Sequence, residues 1–199
     1  MLFLIVSSLM GFSAGYVHAN KLDEYFRVAQ PTTVMQRRGA AKLLYAAKSN
    51  TPYTGWVKET WANGEPKTLA HYELGRLNGP AAIWRADGQP IALLAHKNGK
   101  KHGASIAYYP NGQVESETPY VDGIVEGMVI AYHVNGSKGS ETNFKNGKEN
   151  GSYTVWHDNG QKGGVGVFKD GKLHGRAISW HKNGQKRWEK YFVDGKEVK

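Results

Sequence analysis

Cysteine is absent from the 199 residues of the sequence. Without it the chain has no disulfide framework, no attachment cysteine of the lipoprotein type and no thiol nucleophile. The Gly-x-Ser-x-Gly elbow of hydrolases and the His-Glu-x-x-His motif of zinc proteases are missing as well. Acidic residues fall on turn positions or on isolated strands, so no pair suited to acid–base catalysis stands out. We therefore predict that the protein is not an enzyme, with no catalytic residues and no small-molecule substrate.

Charged side chains are also absent from the first 20 residues. An apolar run there passes into small residues and ends at Val17-His18-Ala19, which resembles a signal-peptidase site because small residues stand three and one before the cut. The run is short for a tilted membrane span, and it lacks a basic segment in front. We predict a removable signal peptide over residues 1–19, and hence an exported protein in the periplasm, the cell envelope or outside the cell. A retained anchor and a misassigned start are the alternatives.

The charge balance is basic. The net charge is +9, and residues 127–199 contribute +6 of it through 13 basic and 7 acidic residues. A basic surface suits an anionic partner, such as a membrane or envelope surface or an acidic protein, and it equally suits a solvated surface without a partner. Nucleic acid is not expected as a partner, because export removes the protein from it.

Glycine is abundant, and 18 of the 25 glycines fall in three columns that step by 24 residues without an insertion. The columns are 55, 79, 103, 127, 151 and 175; 64, 88, 112, 136, 160 and 184; and 75, 99, 123, 147, 171 and 195. This periodicity is the signature of a repeat protein. It predicts six repeats, at residues 55–78, 79–102, 103–126, 127–150, 151–174 and 175–199.

The residues before the glycines indicate the turns. Asn or Asp precedes the glycine of the second column in every repeat and that of the third column in all but one, where Leu74 precedes Gly75. Asn-Gly and Asp-Gly between strand-like runs predict type I′ turns, since both central residues of that turn need a positive φ. The connections are too short for a crossover helix, so strand pairing is predicted to be antiparallel. In the third repeat the strands are expected at about residues 104–109 and 113–120.

Aromatic residues recur in two further columns. The first-strand column holds Trp84, Tyr108, Tyr132, Trp156 and Trp180, and the second-strand column includes Tyr120, Phe144, Phe168 and Phe192. We predict that these residues share one aromatic side of a single-layer sheet and form the candidate partner-binding face. Packing of the rings across neighbouring strands is the competing explanation for the same pattern.

The pattern G-x-x-x-x-[WY]-x-x-[ND]-G, followed by a strand ending in an aromatic residue and by [KV]-[ND]-G-K-x-x-G, resembles MORN-type repeats in their 24-residue bacterial variant. The stretch from Val34 to Gly55 also resembles the lead-in that often precedes such arrays. The resemblance implies an all-β fold, an elongated single-layer antiparallel sheet of tandem β-hairpins that contacts membrane lipid or assembles with proteins. Bacterial members of the family are often labelled as antitoxin components of toxin–antitoxin systems.

The ends of such an array need protection, because an exposed strand edge invites pairing. Residues 33–54 are predicted to form an N-terminal cap hairpin with Arg37-Arg38-Gly39-Ala40 near its turn, and residues 20–32 form a linker or a short helix. Three lysines near the other end discourage pairing at that edge: Lys190, Lys196 and Lys199.

Two features suggest a ligand and are rejected. His133, His157 and His181 stand in one column, but equivalent residues of successive repeats lie ~9.6 Å apart, whereas zinc ligands lie ~2.0–2.1 Å from the metal. Residues 166–173 approach the phosphate-loop motif, but Leu173 replaces its Ser or Thr and no helix is expected to follow. We therefore predict no metal site and no cofactor.

The leading functional prediction is a non-catalytic, exported repeat protein that binds an unidentified protein, or an anionic membrane or envelope surface, through its aromatic face. Binding to the cell wall or to glycan is an alternative suggested by Gly55-Trp56, although this pair does not recur in the later repeats. A second alternative is an antitoxin or immunity-type protein that neutralises a partner toxin, and export disfavours a cytoplasmic toxin.

Overall fold

The computed structural model describes residues 19–198, so the predicted signal peptide lies outside the described residues apart from Ala19. The described chain divides into two compact units, residues 19–103 and residues 104–198. Within residues 19–198 no helix is both long enough and apolar enough to cross a bilayer.

The described part of the first unit contains helix α1 (Ala19–Val28), a 3₁₀ turn (Thr32–Val34) and strands β1 to β8. Those strands are β1 (Gln30–Pro31), β2 (Met35–Arg38), β3 (Leu43–Ala46), β4 (Gly55–Thr60), β5 (Pro66–Glu73), β6 (Arg76–Trp84), β7 (Pro90–Lys97) and β8 (Lys100–Lys101).

The second unit consists of strands joined by turns over its described residues. They are β9 (Gly103–Tyr108), β10 (Val114–Val121), β11 (Ile124–Val125), β12 (Gly127–Tyr132), β13 (Lys138–Lys145), β14 (Lys148–Trp156), β15 (Lys162–Lys169), β16 (Lys172–Leu173), β17 (Gly175–Trp180), β18 (Lys186–Val193) and β19 (Lys196–Val198).

The repeats fold as antiparallel β-hairpins. In the fourth repeat, for example, β12 pairs with β13 from Gly127 opposite Phe144 to Tyr132 opposite Lys138. The two main strands of the third repeat end within one residue of the expected positions. The prediction of an all-β fold of tandem antiparallel hairpins is therefore confirmed. Parallel pairing occurs where the short strand β1, which precedes the repeats, lies beside β4.

The two turns of each repeat differ in geometry. At the third glycine column both central residues have positive φ, as at Asn98 (52°) and Gly99 (83°), so the predicted type I′ turn is confirmed there. Leu74 adopts the same conformation, with φ 48°. At the second column only the glycine is left-handed: Gly64 has φ 86°, and Asn63 does not share the positive φ. The type I′ prediction is wrong at this column.

The second-column turn is a longer loop. The Gly64 N–H donates to the Trp61 carbonyl oxygen at 2.9 Å, and the Trp61 N–H donates to the Glu65 carbonyl oxygen at 2.9 Å. This arrangement corresponds to a type I turn followed by a left-handed glycine. The Asn63 Oδ1 accepts the Glu65 N–H at 3.1 Å. The asparagine therefore serves the turn through its side chain and not through a positive φ.

Of the two alternatives for residues 20–32, a linker or a short helix, the structure shows the helix. Helix α1 occupies most of this range, and β1 follows it directly. Leu22 and Ala29 are buried against Leu69 and Trp84. The sequence did not reveal this packing, because a 10-residue amphipathic helix gains most of its stability from the surface that it covers.

Residues 33–54 contain the hairpin of β2 and β3, in which Met35 lies opposite Ala46. Leu44 of β3 is buried in a cluster with Val57 and Tyr72, and Met35 packs against this cluster. The hairpin thus covers one side of the first repeat, while α1 covers the other side.

Candidate partner-binding faces

The two aromatic columns lie on opposite sides of the sheet within the second unit. Val129 of β12 pairs with Thr142 of β13, so these two side chains share one side. Phe144 is two residues beyond Thr142 and lies on that same side. Tyr132 is three residues beyond Val129 and lies on the other side, because side chains alternate along a strand. The prediction of one shared aromatic face is therefore corrected.

The fifth repeat shows the same separation. Tyr153 pairs with Gly166, and its ring centroid lies 4.9 Å from that of Phe168. Trp156 is three residues beyond Tyr153 and lies on the opposite side. We name the two sides by their residues. The tryptophan face carries Trp84, Tyr108, Tyr132, Trp156 and Trp180, and the phenylalanine face carries Tyr72, Tyr120, Phe144, Phe168 and Phe192.

Helix α1 covers the tryptophan face of the first unit. Under the helix Trp84 is 6% exposed and Leu69 is fully buried. The rings of Tyr25 and Trp56 stack with their centroids 4.5 Å apart. Trp84 is therefore not available to a partner. The repeat pattern did not single out Trp56, because tryptophan does not recur at the matching positions of the later repeats.

The tryptophan face of the second unit combines aromatic rings with charged groups. The Tyr132 hydroxyl donates to Glu117 Oε1 at 2.9 Å. The Lys138 ammonium lies 5.5 Å from the centre of the Trp156 ring, within the range of a cation–π contact. Tyr108 is buried, with 4% of its surface exposed. The other predicted residues of this face are partly exposed: Tyr132, Trp156 and Trp180.

Glu189 is the most strongly held carboxylate of this face. It accepts hydrogen bonds from Arg176 Nε at 2.7 Å and from Lys186 Nζ at 2.6 Å. Both cations favour the charged form of the carboxylate and lower its pKa to about 2. Glu189 therefore remains charged over the whole physiological pH range.

The phenylalanine face of the second unit combines aromatic rings with small neutral residues and a few charged ones, among them Glu149 opposite Phe144 and Lys190 opposite Ala177. Tyr153 lies over Gly166, where a Cβ would stand 2.6 Å from the tyrosine Cε1, and burial raises the pKa of Tyr153. Trp188 and Phe192 are in contact, with ring centroids 6.4 Å apart. Between the rings the face carries small neutral residues: Ser116, Val129, Ala131, Ser140, Thr142, Val155, Gly164, Ala177 and Ser179.

The histidine column takes part in the hydrogen bonds between repeats. His133 Nε2 lies 2.9 Å from the Trp156 carbonyl oxygen, and His157 Nε2 lies 3.0 Å from that of Trp180. Because a carbonyl oxygen only accepts, both Nε2 atoms carry a proton. Within residues 19–198 no three His, Asp or Glu side chains are grouped as the ligands of one metal ion would be.

A shallow depression of about 430 Å³ lies in the first unit, with Glu73, Asn78, His96 and His102 among its lining residues. Burial lowers the pKa of His96, and the charge of Lys101 lowers it further. Both effects favour the neutral form of the His96 imidazole.

Comparison with known proteins bears on the repeat itself. Residues 101–122 match the family model described as a MORN repeat variant. Among curated proteins no sequence matches the chain significantly. The matched segment is one copy of a pattern that recurs in register every 24 residues from Gly55 onward, and its hairpin geometry recurs with it. Residues 101–122 therefore form a MORN-type repeat, and the other repeats of the chain share its sequence pattern and its hairpin geometry.

Proposed function

We propose that the protein is an exported, non-catalytic binding protein whose second unit docks a helical segment of a protein partner on its tryptophan face. MORN repeats in general bind proteins or membranes. The support for a helical protein segment is α1, which occupies the tryptophan face of the first unit.

The contacts of α1 show what this face offers to a helix. Trp56 provides a ring that stacks on Tyr25, and Leu69 provides an apolar floor that the helix buries completely. Lys58 Nζ donates a hydrogen bond to the Phe26 carbonyl oxygen at 2.8 Å, near the C-terminal end of the helix. Helix ends leave carbonyl groups without intrahelical partners, so this lysine satisfies one of them.

The second unit presents a related surface without a helix of its own among residues 104–198. Trp156 and Trp180 are partly exposed, and tryptophan is enriched at protein interfaces because it combines a large apolar ring with a polar N–H. At the repeat position of Leu69 this unit carries three glutamates: Glu117, Glu141 and Glu189. Glu141 and Glu189 already pair with Lys138, Arg176 and Lys186. We therefore expect the partner helix to place charged residues of both signs beside its apolar stripe.

Export is part of the proposal and rests on the pattern of residues 1–19: an uncharged apolar run that ends in small residues. An exported protein meets its partner in the periplasm, in the envelope or outside the cell. The test of binding therefore begins with envelope proteins.

Affinity capture from envelope extract with the full chain tests the proposal. The variant Trp156→Ala/Trp180→Ala removes two rings of the tryptophan face, and Phe144→Ala/Phe168→Ala is the matched control on the other side. We expect a set of proteins that the wild type and the control retain and that the tryptophan variant loses by tenfold or more. Capture that is lost only with the control variant would assign binding to the phenylalanine face. Capture of purified peptidoglycan that depends on the two tryptophans would assign the tryptophan face to the cell wall instead.

A further inference from the structure

Lysines lie directly opposite one another at three of the type I′ turns. The closing pairs are Lys97 with Lys100, Lys145 with Lys148, and Lys169 with Lys172. Like charges in directly opposed strand positions destabilise a hairpin. The first repeat shows that the turn does not require them, because Glu73 lies opposite Arg76 there. The lysine pairs therefore need an explanation other than stability of the turn.

The four lysines of the second unit that form such pairs are exposed, and none has a carboxylate partner within residues 104–198. Four other lysines of this unit are paired. Lys138 contacts Glu141, Lys182 contacts Asp158, Lys186 contacts Glu189, and Lys190 contacts Glu197. The ammonium groups at the type I′ turns thus remain available for an external anion.

Two carboxylates lie close to the lysine pairs, and each already has a hydrogen-bond donor. Glu126 Oε2 accepts the Asn146 N–H at 2.7 Å. Asp170 Oδ1 lies 3.4 Å from the Asn150 amide nitrogen. The turn from Lys145 to Lys148 has a neutral Asn-Gly centre, so it carries two positive charges and no negative one of its own.

The two lysine pairs are neighbours along one edge of the unit. The Gly171 N–H of the second turn donates to the Glu149 carbonyl oxygen at 2.8 Å, directly after the first turn. Equivalent positions of successive repeats are two strand spacings apart, about 9.6 Å. The edge therefore places two lysine pairs one repeat apart, the first with a neutral turn centre and the second with Asp170 between its lysines.

We propose that this edge binds a linear, phosphate-bearing polyanion, with Lys145 and Lys148 as one anion site and Lys169 and Lys172 as the next. Each ammonium group has three donors, and each phosphate offers several acceptor oxygens, so two opposed lysines can hold one phosphate from two sides. Two sites in register favour a polymer over a single small anion. This inference goes beyond the proposed function, because it uses the turn edge and not the tryptophan face.

Binding of long-chain inorganic polyphosphate to the full chain, measured as a function of salt, tests the inference. The variant Lys145→Glu/Lys169→Glu gives each turn the opposite-charge arrangement of Glu73 and Arg76. The control Lys162→Glu/Arg187→Glu makes the same change in net charge at two exposed positions elsewhere in the unit. We expect the first variant to weaken binding at least 30-fold and the control less than fivefold. Because each new glutamate also pairs with the lysine opposite it, all four phosphate contacts are lost, and the slope of log Kd against log salt falls by about 3.

Thermal unfolding supplies a readout that separates binding from structure. Because opposed like charges are replaced by ion pairs, the Tm of Lys145→Glu/Lys169→Glu is expected to stay the same or to rise while binding is lost. A lower Tm would show that the lysines serve the fold, and it would overturn the inference. If the control variant weakens polyphosphate binding equally, the effect comes from net charge alone, and the inference is overturned as well. If orthophosphate competes for the edge as well as polyphosphate does, the ligand need not be a linear polymer, and that part of the proposal is wrong. If polyglutamate binds as tightly as polyphosphate, the edge does not select phosphate groups.

Discussion

The side-chain amide of Asn159 donates a hydrogen bond to the backbone carbonyl oxygen of Lys182, one repeat further along the chain, at 2.9 Å. Its Oδ1 accepts the Gln161 N–H at 3.1 Å in its own turn. The residue therefore links two repeats while it closes one turn. Three other asparagines of this column donate in the same way, Asn63, Asn111 and Asn135.

We expect Asn159→Asp to destabilise the protein by about 1 kcal/mol, because aspartate keeps the acceptor but cannot donate to the next repeat. Urea unfolding measures the change. The control is Asn183→Asp in the last repeat, where the amide bonds to Gln185 of the same turn. Equal losses from the two substitutions would contradict a link between repeats.

Leu74 occupies a left-handed position, with φ 48° and 66% of its surface exposed. A left-handed conformation costs a branched residue about 1–2 kcal/mol, and asparagine tolerates it better. We expect Leu74→Asn to raise the free energy of unfolding by about 1 kcal/mol, and the reverse change at the equivalent turn, Asn146→Leu, to lower it. A loss of stability in Leu74→Asn would show that Leu74 makes a contact that outweighs the strain.

His96 predicts a pH dependence of stability. Burial, and then Lys101, hold the pKa of the folded state below the ordinary 6.5. The unfolded chain therefore binds a proton first, so stability is lost as pH falls below about 6.5. We expect His96→Phe, which installs the residue found in this column at Phe144 and Phe168, to reduce the loss between pH 7 and pH 5. The exposed His181 supplies the control His181→Phe, and an unchanged pH profile in His96→Phe would contradict the prediction.

The ion pairs of Glu189 predict a second loss of stability at more acidic pH. Its hydrogen bonds from Arg176 and Lys186 lower its pKa from 4.5 to about 2 in the folded protein. Its contribution to stability is therefore present above about pH 4.5 and disappears as pH falls towards 2. We expect Glu189→Gln to lose less stability over this range than the wild type does, as followed by circular dichroism. Glu115→Gln, at an exposed glutamate of β10, is the control. A wild-type-like acid profile in Glu189→Gln would show that the ion pairs do not form in solution.

The repeat made the strands and the third-column turns predictable, because Asn-Gly and Asp-Gly pairs are favoured where both central residues of a turn need a positive φ. The geometry of the second-column turn was missed, since the same dipeptide also suits a type I turn in which the asparagine acts through its side chain. The sequence does not distinguish a linker from a helix at α1, because the stability of this helix comes from Leu69, Trp84 and the other residues that it covers.

The sequence is sufficient to predict that the two aromatic columns lie on opposite sides of the sheet. The turn at Asn135-Gly136 sets Gly127 opposite Phe144, and Tyr132 is an odd number of residues from Gly127. Because side chains alternate along a strand, Phe144 and Tyr132 lie on different sides of the sheet. The burial of Trp84 cannot be predicted from the repeat pattern, because it depends on α1, a segment outside the repeats.

Site-specific photocross-linking tests the central claim most directly. A benzophenone amino acid replaces Trp156 in one variant and Phe168 in another, so each variant keeps an aromatic side chain on one named face. Irradiated cells are then examined for adducts between the protein and envelope proteins. Binding through the tryptophan face predicts a specific adduct from position 156 and little or none from position 168. An adduct from position 168 alone, or no protein adduct from position 156, would contradict it.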